Sequence, residues 1–108
     1  MGPDINESDW KAMRKLTPVA LDRFCQRILA EVASISADGT MSPHQRYLAI
    51  HEQIQKRDRD MANAFNDARR STAIVQLACL RRHELITDAE FAEFSPETRE
   101  ILGRLLGD

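Results

Sequence analysis

The stretch from Ser42 to His83 constrains the fold more than any other part of the chain, because it contains no glycine and no proline after Pro43. Ser42 followed by Pro43 is typical of a helix start, with a serine N-cap and a proline in the first turn. Beyond this point apolar residues recur at helical spacing as far as Cys79. The pattern predicts one long amphipathic helix that the other helices cover.

The length of this predicted helix has a consequence for assembly. About forty residues in a helix span about 60 Å, whereas a compact domain of this size has a radius of gyration of about 13 Å. The helix therefore either breaks or has its overhang covered by a second chain. The polar clusters at 63–67 and 70–72 are candidate breaks, since short polar side chains compete for backbone hydrogen bonds. Neither cluster holds a proline or glycine, which favours an unbroken helix and a partner.

The part of the chain before the long helix predicts two shorter helices. The first begins near Ser8, and Thr17-Pro18 is expected to end it and to start the second by the same cap-plus-proline logic. The second helix extends to about Ser36, and Asp38-Gly39 supplies the turn that follows. Its apolar stripe consists of Leu21, Phe24, Cys25, Ile28, Leu29, Val32 and Ile35. The short loop predicts that this helix packs antiparallel to the long one.

Two further helix starts lie near the C-terminal end. Thr87 to Glu90 matches the capping box, and Ser95-Pro96 repeats the cap-plus-proline pattern. The residues Leu77 and Leu80, followed by the run 85–91, resemble the SHOCT motif, a short bacterial C-terminal helical hairpin associated with oligomerisation. The resemblance covers about a fifth of the chain, and Glu84 stands where that family usually has a turn glycine. It implies self-association.

The predicted fold is therefore all-α, a small helical bundle built on one long central helix with shorter antiparallel and terminal helices. A single domain over residues 1–108 is expected at this length. The sequence has no apolar run near the eighteen or so residues of a membrane span, and its acidic start is unlike a secretory signal. We expect a cytoplasmic protein in which Cys25 and Cys79 are buried free thiols that pack as small apolar side chains.

Polar residues interrupt the apolar seam of the long helix and mark a candidate site. His51 and Asp58 lie two turns apart on a face that is otherwise apolar. One hypothesis is that they fix the register or the partner of a helix pair, or that the seam is simply exposed there. The alternative is a polar pocket in which Tyr47, His51 and Asp58 bind a small ligand or anion, with Arg57 or Arg70 as the partner of an anion. The sequence leaves both open.

Recognisable chemistry is otherwise missing from the sequence. The three histidines lack metal-ligand spacing, and with few glycines no phosphate loop can be built, so we expect neither a metal nor a cofactor. The absence of catalytic motifs favours a non-catalytic protein over an enzyme without deciding the question. The long helix is basic, but Asp88, Glu90 and Glu93 make the helix after it acidic. We therefore expect no specific nucleic-acid binding.

The preferred prediction of function is a non-catalytic helical interaction module that forms a homodimer through its long helix. Ile54, Met61 and Phe65 are its candidate interface residues, because they lie near the middle of the predicted helix, where the overhang needs cover. The alternative is a small-ligand or anion-binding protein, with or without an enzyme activity, centred on His51 and Asp58.

Overall fold

The computed structural model describes residues 5–65 and 69–107, and all regular structure in these residues is helical. The helices are α1 (Glu7–Ser36), α2 (Pro43–Phe65), α3 (Ala73–Arg82), α4 (Asp88–Phe91) and α5 (Pro96–Leu106), with a 3₁₀ turn at Arg70–Thr72. The all-α class predicted from the sequence is confirmed. Two regions differ in packing, and we call residues 25–63 the arm and residues 5–24 with 69–107 the body.

The body encloses the apolar core. The first half of α1 packs with α3, α5 and the segment that links them, and its side chains alternate at helical spacing between core and solvent. The largest side chains with almost no exposed surface are Met13, Phe24, Leu77, Leu80, Leu85 and Leu102. Full burial of one such side chain contributes about 1.5–3 kcal/mol, so this cluster supplies the main driving force for folding.

The arm is an antiparallel helical hairpin made by the second half of α1 and by α2. The Asp38 carboxylate accepts hydrogen bonds from the Thr40 N–H (2.9 Å) and hydroxyl (2.6 Å), and Arg46 donates to the Ser36 carbonyl (2.7 Å) at the end of α1. No residue from 25 to 63, a segment described throughout, is buried. The molecule measures 51 × 27 × 25 Å with a radius of gyration of 16.7 Å, well above the roughly 13 Å of a compact chain of this length.

The prediction of one unbroken helix from Pro43 to Arg82 is wrong. α2 ends at Phe65, and Arg69 has extended backbone angles of φ −124° and ψ 157°. The Thr72 hydroxyl accepts from the Arg69 N–H (3.3 Å) and donates to the Arg69 carbonyl (3.1 Å), which is the competition that short polar side chains provide. Residues 66 and 67 of the other candidate break lie outside the described residues, as does the seam position Ala68. The break allows α3 to bury its apolar face in the body.

The predicted helix boundary at Thr17-Pro18 is also wrong, because α1 continues through it. Proline inside a helix costs about 3 kcal/mol. Continuation keeps Met13, Ala20 and Phe24 on one buried stripe across the proline, and the burial of Met13 and Phe24 alone offsets that cost. The Thr17 hydroxyl donates to the Met13 carbonyl at 2.7 Å. The apolar stripe therefore decides the course of the helix.

The other predicted helix starts are confirmed. The side chains of Ser42, Thr87 and Ser95 each accept a hydrogen bond from the backbone N–H three residues further on. At Thr87 the capping box is complete, since the Glu90 carboxylate accepts from the Thr87 N–H at 2.8 Å. These signals are local in sequence, and the local structure follows them.

A buried carboxylate joins the start of α1 to the start of α5. Asp9 is 1 % exposed and accepts hydrogen bonds from the Ser95 N–H (2.9 Å), the Ser95 hydroxyl (2.6 Å) and the Thr98 hydroxyl (2.6 Å). Burial raises the pKa of Asp9, but these hydrogen bonds and that of Asn6 together hold the pKa below its ordinary value. Asp9 therefore stays ionised and fixes α5 against α1.

A bidentate ion pair joins α1 to the capping box of α4. Arg23 donates to the two Glu90 carboxylate oxygens at 2.6 and 3.0 Å and to the Leu85 carbonyl at 3.0 Å. The hydrogen bond from Arg23 is the main reason that the pKa of Glu90 falls to about 2. The same carboxylate thus caps α4 and anchors it to α1.

The end of α3 adopts a Schellman motif with Glu84 in the left-handed conformation, at φ 57°. The Leu85 N–H donates to the Leu80 carbonyl and the Glu84 N–H to the Arg81 carbonyl, both at 3.0 Å. Arg27 from α1 donates to the carbonyls of His83 (2.5 Å) and Glu84 (3.2 Å). The turn is therefore closed by its own backbone and by α1, although a side chain occupies a position that favours glycine.

Candidate functional site

Three residues of the predicted polar pocket lie on one exposed side of α2. Tyr47, His51 and Asp58 are all exposed, and Tyr47 keeps 66 % of its surface accessible. Their spacing of four and seven residues places them along one face of a helix. Asp58 and His51 are two turns apart, about 10 Å along the axis, so they do not touch within one chain. Whether they bind a ligand stays a prediction.

The two arginines proposed as anion partners are both engaged in ion pairs. Arg57 donates to Glu31 at 2.9 and 2.5 Å and to Asp60 at 3.1 Å, while Gln53 donates to the same Glu31 oxygen at 3.0 Å. The hydrogen bond from Arg57 lowers the pKa of Glu31, and Glu31 in turn raises the pKa of Arg57. This network clamps α1 to α2 from between the two helices. Arg57 is thus a structural element of the arm in this conformation.

Arg70 lies away from the arm, where it pairs with Glu7 at the start of α1 at 2.7 Å. Both side chains are about half exposed, which is typical of a surface ion pair that contributes little to stability. The structure therefore groups Tyr47, His51 and Asp58 but separates Arg70 from them.

The three candidate interface residues lie in two different environments. Ile54 is 41 % exposed and lies on the arm, whereas Met61 and Phe65 are half-buried and pack against the core of the body. The Phe65 ring lies 6.1 Å from the ring of Phe24, and the Arg57 guanidinium lies 5.7 Å from the same Phe24 ring. Phe24 and Phe65 thus form the joint between arm and body.

A wider apolar surface lies on the arm, and both of its helices contribute to it. Phe24 and Glu31 define the line of α1 that faces α2, and Gln53 and Arg57 define the line of α2 that faces α1. At 100° per residue, several apolar residues of each helix lie about a quarter-turn from these lines in the same rotational sense. Because the helices are antiparallel, these quarter-turns fall on the same side of the hairpin. Ile50 lies nearer to α1 and Leu29 further round towards the outside, and Leu21 lies one turn before the arm begins. We call the whole set the hairpin face: Leu21, Cys25, Leu29, Val32, Tyr47, Ile50 and Ile54.

The hairpin face is open to solvent. Leu29 and Tyr47 are each about two-thirds exposed, and Leu21 and Ile54 keep about two-fifths of their surface accessible. His51 and Asp58 lie at the edge of the face on α2. In the sequence, the α2 part of this surface belongs to the seam of the long predicted helix, and the α1 part belongs to the apolar stripe of the helix before it. Helical periodicity could not separate the exposed Leu29 from the half-buried Ile28, because both belong to the apolar stripe and the pattern does not show which part of that stripe other elements cover.

A cavity between α1 and α3 was missed by the sequence analysis. Its volume is about 220 Å³, and its walls are formed by Trp10, Met13, Arg14, Thr17, Pro18 and Gln76. Gln76 is 5 % exposed, and its Nε2 has no hydrogen-bond partner among residues 5–65 and 69–107. The available signal was a polar residue in an apolar run, Ala73 to Leu80. It could not be interpreted while α3 was taken as part of the long helix.

Metal and membrane features were searched for in the same part of the chain. Among residues 5–65 and 69–107, His, Cys, Asp and Glu side chains nowhere form a group of three that could hold a metal ion. Within those ranges no helix combines the length and the apolar character needed to cross a membrane. Cys25 and Cys79 are free thiols, but their side chains are partly exposed rather than buried as expected.

Comparisons with known proteins add no relative. The chain has no significant match among protein families, curated proteins or solved structures. The resemblance of residues 77–91 to the SHOCT motif therefore rests on those residues alone. Function has to be argued from the surfaces described above.

Proposed function

We propose that the protein is a non-catalytic interaction module that self-associates through the hairpin face. The observation that carries the proposal is the arm itself, a hairpin that has no buried residue and exposes apolar side chains from both helices along one side. Exposed apolar surface of this kind, continuous rather than scattered, marks interaction sites in soluble proteins. A second copy of the chain presents the same face and forms a four-helix bundle with it.

The size of the face sets the expected strength of association. The face is about 20 Å long and about 20 Å wide, from the helical rise and the diameter of two helices. Two copies therefore cover about 800 Å² of flat area, somewhat below the roughly 1,200 Å² at which stable, specific interfaces begin. The expected assembly is a weak dimer that forms in the micromolar range and dissociates on dilution.

The polar residues at the edge of the face fit a two-fold arrangement. His51 and Asp58 are equally far in sequence from the position between Ile54 and Gln55. If a two-fold axis crosses the face at that level, α2 lies antiparallel to α2 of the second copy. Each His51 is then level with an Asp58 of the other chain, so an imidazole faces a carboxyl group. These positions would fix the register of the pair, as the sequence analysis suggested.

Sedimentation of matched variants tests the proposal. Ile54→Glu places a charge in the centre of the hairpin face, and Gln55→Glu places the same charge on the adjacent exposed residue, outside the face. The wild type and Gln55→Glu should dimerise between tens and hundreds of micromolar, while Ile54→Glu stays monomeric because an apolar interface does not accept an unpaired carboxylate. Both positions are exposed, so circular dichroism should report the same helix content in all three proteins.

Two results would contradict the proposal. If the wild type sediments as a monomer throughout this range, the protein does not self-associate. If the two glutamate variants behave alike, the hairpin face is not the interface. The register is tested separately by charge exchange. His51→Asp should weaken the dimer by bringing two carboxylates level, and the double variant His51→Asp with Asp58→His should restore it.

A further inference from the structure

We propose that the cavity between α1 and α3 binds a small carboxylic acid with an apolar body. The cavity is formed by the body, away from the hairpin face, and the inference is independent of self-association. Its volume of about 220 Å³ equals that of about seven water molecules. An aromatic ring with a short acid side chain has this size.

The apolar walls of the cavity select the body of the ligand. Trp10 and Met13 come from the first turns of α1, and Pro18 closes the wall one to two turns later. An indole ring, a thioether and a pyrrolidine ring together form a surface that favours a flat apolar group over a hydrated one. The Thr17 hydroxyl lies in the same wall, but its O–H already donates a hydrogen bond to the Met13 carbonyl and is not available to donate to a ligand.

Gln76 defines the polar end of the ligand. Its side chain is almost fully buried and lines the cavity, and its Nε2 has no hydrogen-bond partner in the part of the chain that the structure describes. Buried polar groups in folded proteins nearly always have a partner, and an unsatisfied one is costly. An acceptor oxygen on the ligand would complete the hydrogen bonding of this amide. The sequence retains glutamine among apolar neighbours at a position where leucine would pack without this cost.

Arg14 makes a carboxylate the preferred acceptor. It lines the same cavity from its exposed position on α1, and it forms no ion pair within residues 5–65 and 69–107. A carboxylate bound to Gln76 through one oxygen would lie within the field of this cation. A neutral amide of the same shape would gain the Gln76 hydrogen bond alone.

Trp10 is the single tryptophan of the chain and reports directly on the cavity. Phenylacetate should change its fluorescence saturably and should shift the NMR signals of the Trp10 indole N–H and the Gln76 side-chain NH₂. Phenylacetamide should bind severalfold more weakly, because it lacks the charge that Arg14 attracts. Absence of any saturable change, or shifts confined to other parts of the chain, would overturn the proposal.

Three variants separate binding from a structural role. Gln76→Leu should weaken the binding of both compounds about tenfold or more, while leaving the protein folded by circular dichroism, since an unpaired polar group is replaced by an apolar one. Arg14→Gln should weaken phenylacetate alone and remove its advantage over phenylacetamide. Lys15→Gln, the matched control, removes a charge from the next residue and should change neither. Unaltered affinity in Gln76→Leu, or equal losses in Arg14→Gln and Lys15→Gln, would contradict the proposed roles.

Discussion

The body and the arm are both built from amphipathic helices, but the contacts that hold these helices together differ. In the body, residues far apart in sequence meet around buried side chains, and the hydrogen bonds of Asp9 reach Ser95 and Thr98, which lie 86 and 89 positions away. In the arm, the Glu31–Arg57 pair spans 26 positions and no side chain is buried. The difference teaches that apolar residues at helical spacing predict a helix without predicting what covers it.

α1 makes this difference especially clear, because one continuous helix belongs to both regions. Up to Phe24 its apolar side chains enter the core, Ile28 packs against the edge of the core, and the later positions reach α2 or solvent. The partner elements, rather than the helix, therefore decide which residues are buried.

Removing the side chain at the joint should have the largest effect on stability. Phe24→Ala deletes a ring that is fully buried and that contacts Phe65 and His83. We expect a loss of about 3–5 kcal/mol in the free energy of unfolding, a large part of the stability of a small domain. Urea denaturation followed by circular dichroism measures it.

The matched change in the arm is Leu29→Ala, at a position that is two-thirds exposed. It should cost less than about 0.5 kcal/mol under dilute, monomeric conditions. Similar losses for Phe24→Ala and Leu29→Ala would contradict the distinction between a packed body and an open arm.

Two carboxylates paired with arginines allow a sharper comparison. Glu90→Gln breaks the bidentate pair of the body and should lower global stability by about 1–2 kcal/mol at neutral pH. Glu31→Gln breaks the corresponding pair of the arm and should mainly speed hydrogen exchange of amides in α2, with a smaller global effect. Exchange that increases equally in the body and the arm of Glu31→Gln would show that the regions unfold together.

The cost of Glu90→Gln should depend on pH in a defined direction. The pKa of Glu90 is about 2 in the folded protein, below its ordinary value of 4.5. Its contribution to stability is therefore complete above about pH 4.5 and is lost as the pH falls towards 2. The stability difference between wild type and Glu90→Gln should shrink over that window. Asp9 titrates in both proteins, so its contribution cancels from the difference.

The smallest expected effect is an increase in stability. Glu84 has a positive φ of 57° at the end of α3, where a side chain is strained and glycine is not. Glu84→Gly should raise the stability of the body by about 0.5–1 kcal/mol without altering the arm, as measured by urea denaturation and by hydrogen exchange. A loss of stability would mean that the Glu84 side chain makes a contribution larger than the backbone strain.

Local signals in the sequence predicted local structure well. The caps at Ser42, Thr87 and Ser95 were correct because the donor and acceptor lie three residues apart. The errors at Pro18 and Arg69 arose where packing between distant elements decided the outcome. A helix continued through proline because its buried stripe did, and a helix without a breaker ended because α3 could bury its apolar face elsewhere.

The candidate sites were only partly predictable for the same reason. The seam on α2 contained the exposed residues Tyr47 and Ile54, so one half of the hairpin face was present in the pattern. The position of Leu29 and the orphaned amide of Gln76 depend on which elements pack against α1 and α3. A polar residue in an apolar run indicates an unusual position, but its environment follows from tertiary structure.

The long reach of the Asp9 hydrogen bonds has a consequence for the order of events during synthesis. The residues of the arm are complete once α2 has been made, and its closing ion pair is local, so the hairpin can form while the chain is still growing. The core cannot form completely until Ser95 and Thr98 have been synthesised, because the buried Asp9 carboxylate needs their hydrogen bonds. A nascent chain therefore presents the hairpin face before its core is complete, and self-association as proposed above could then begin during synthesis.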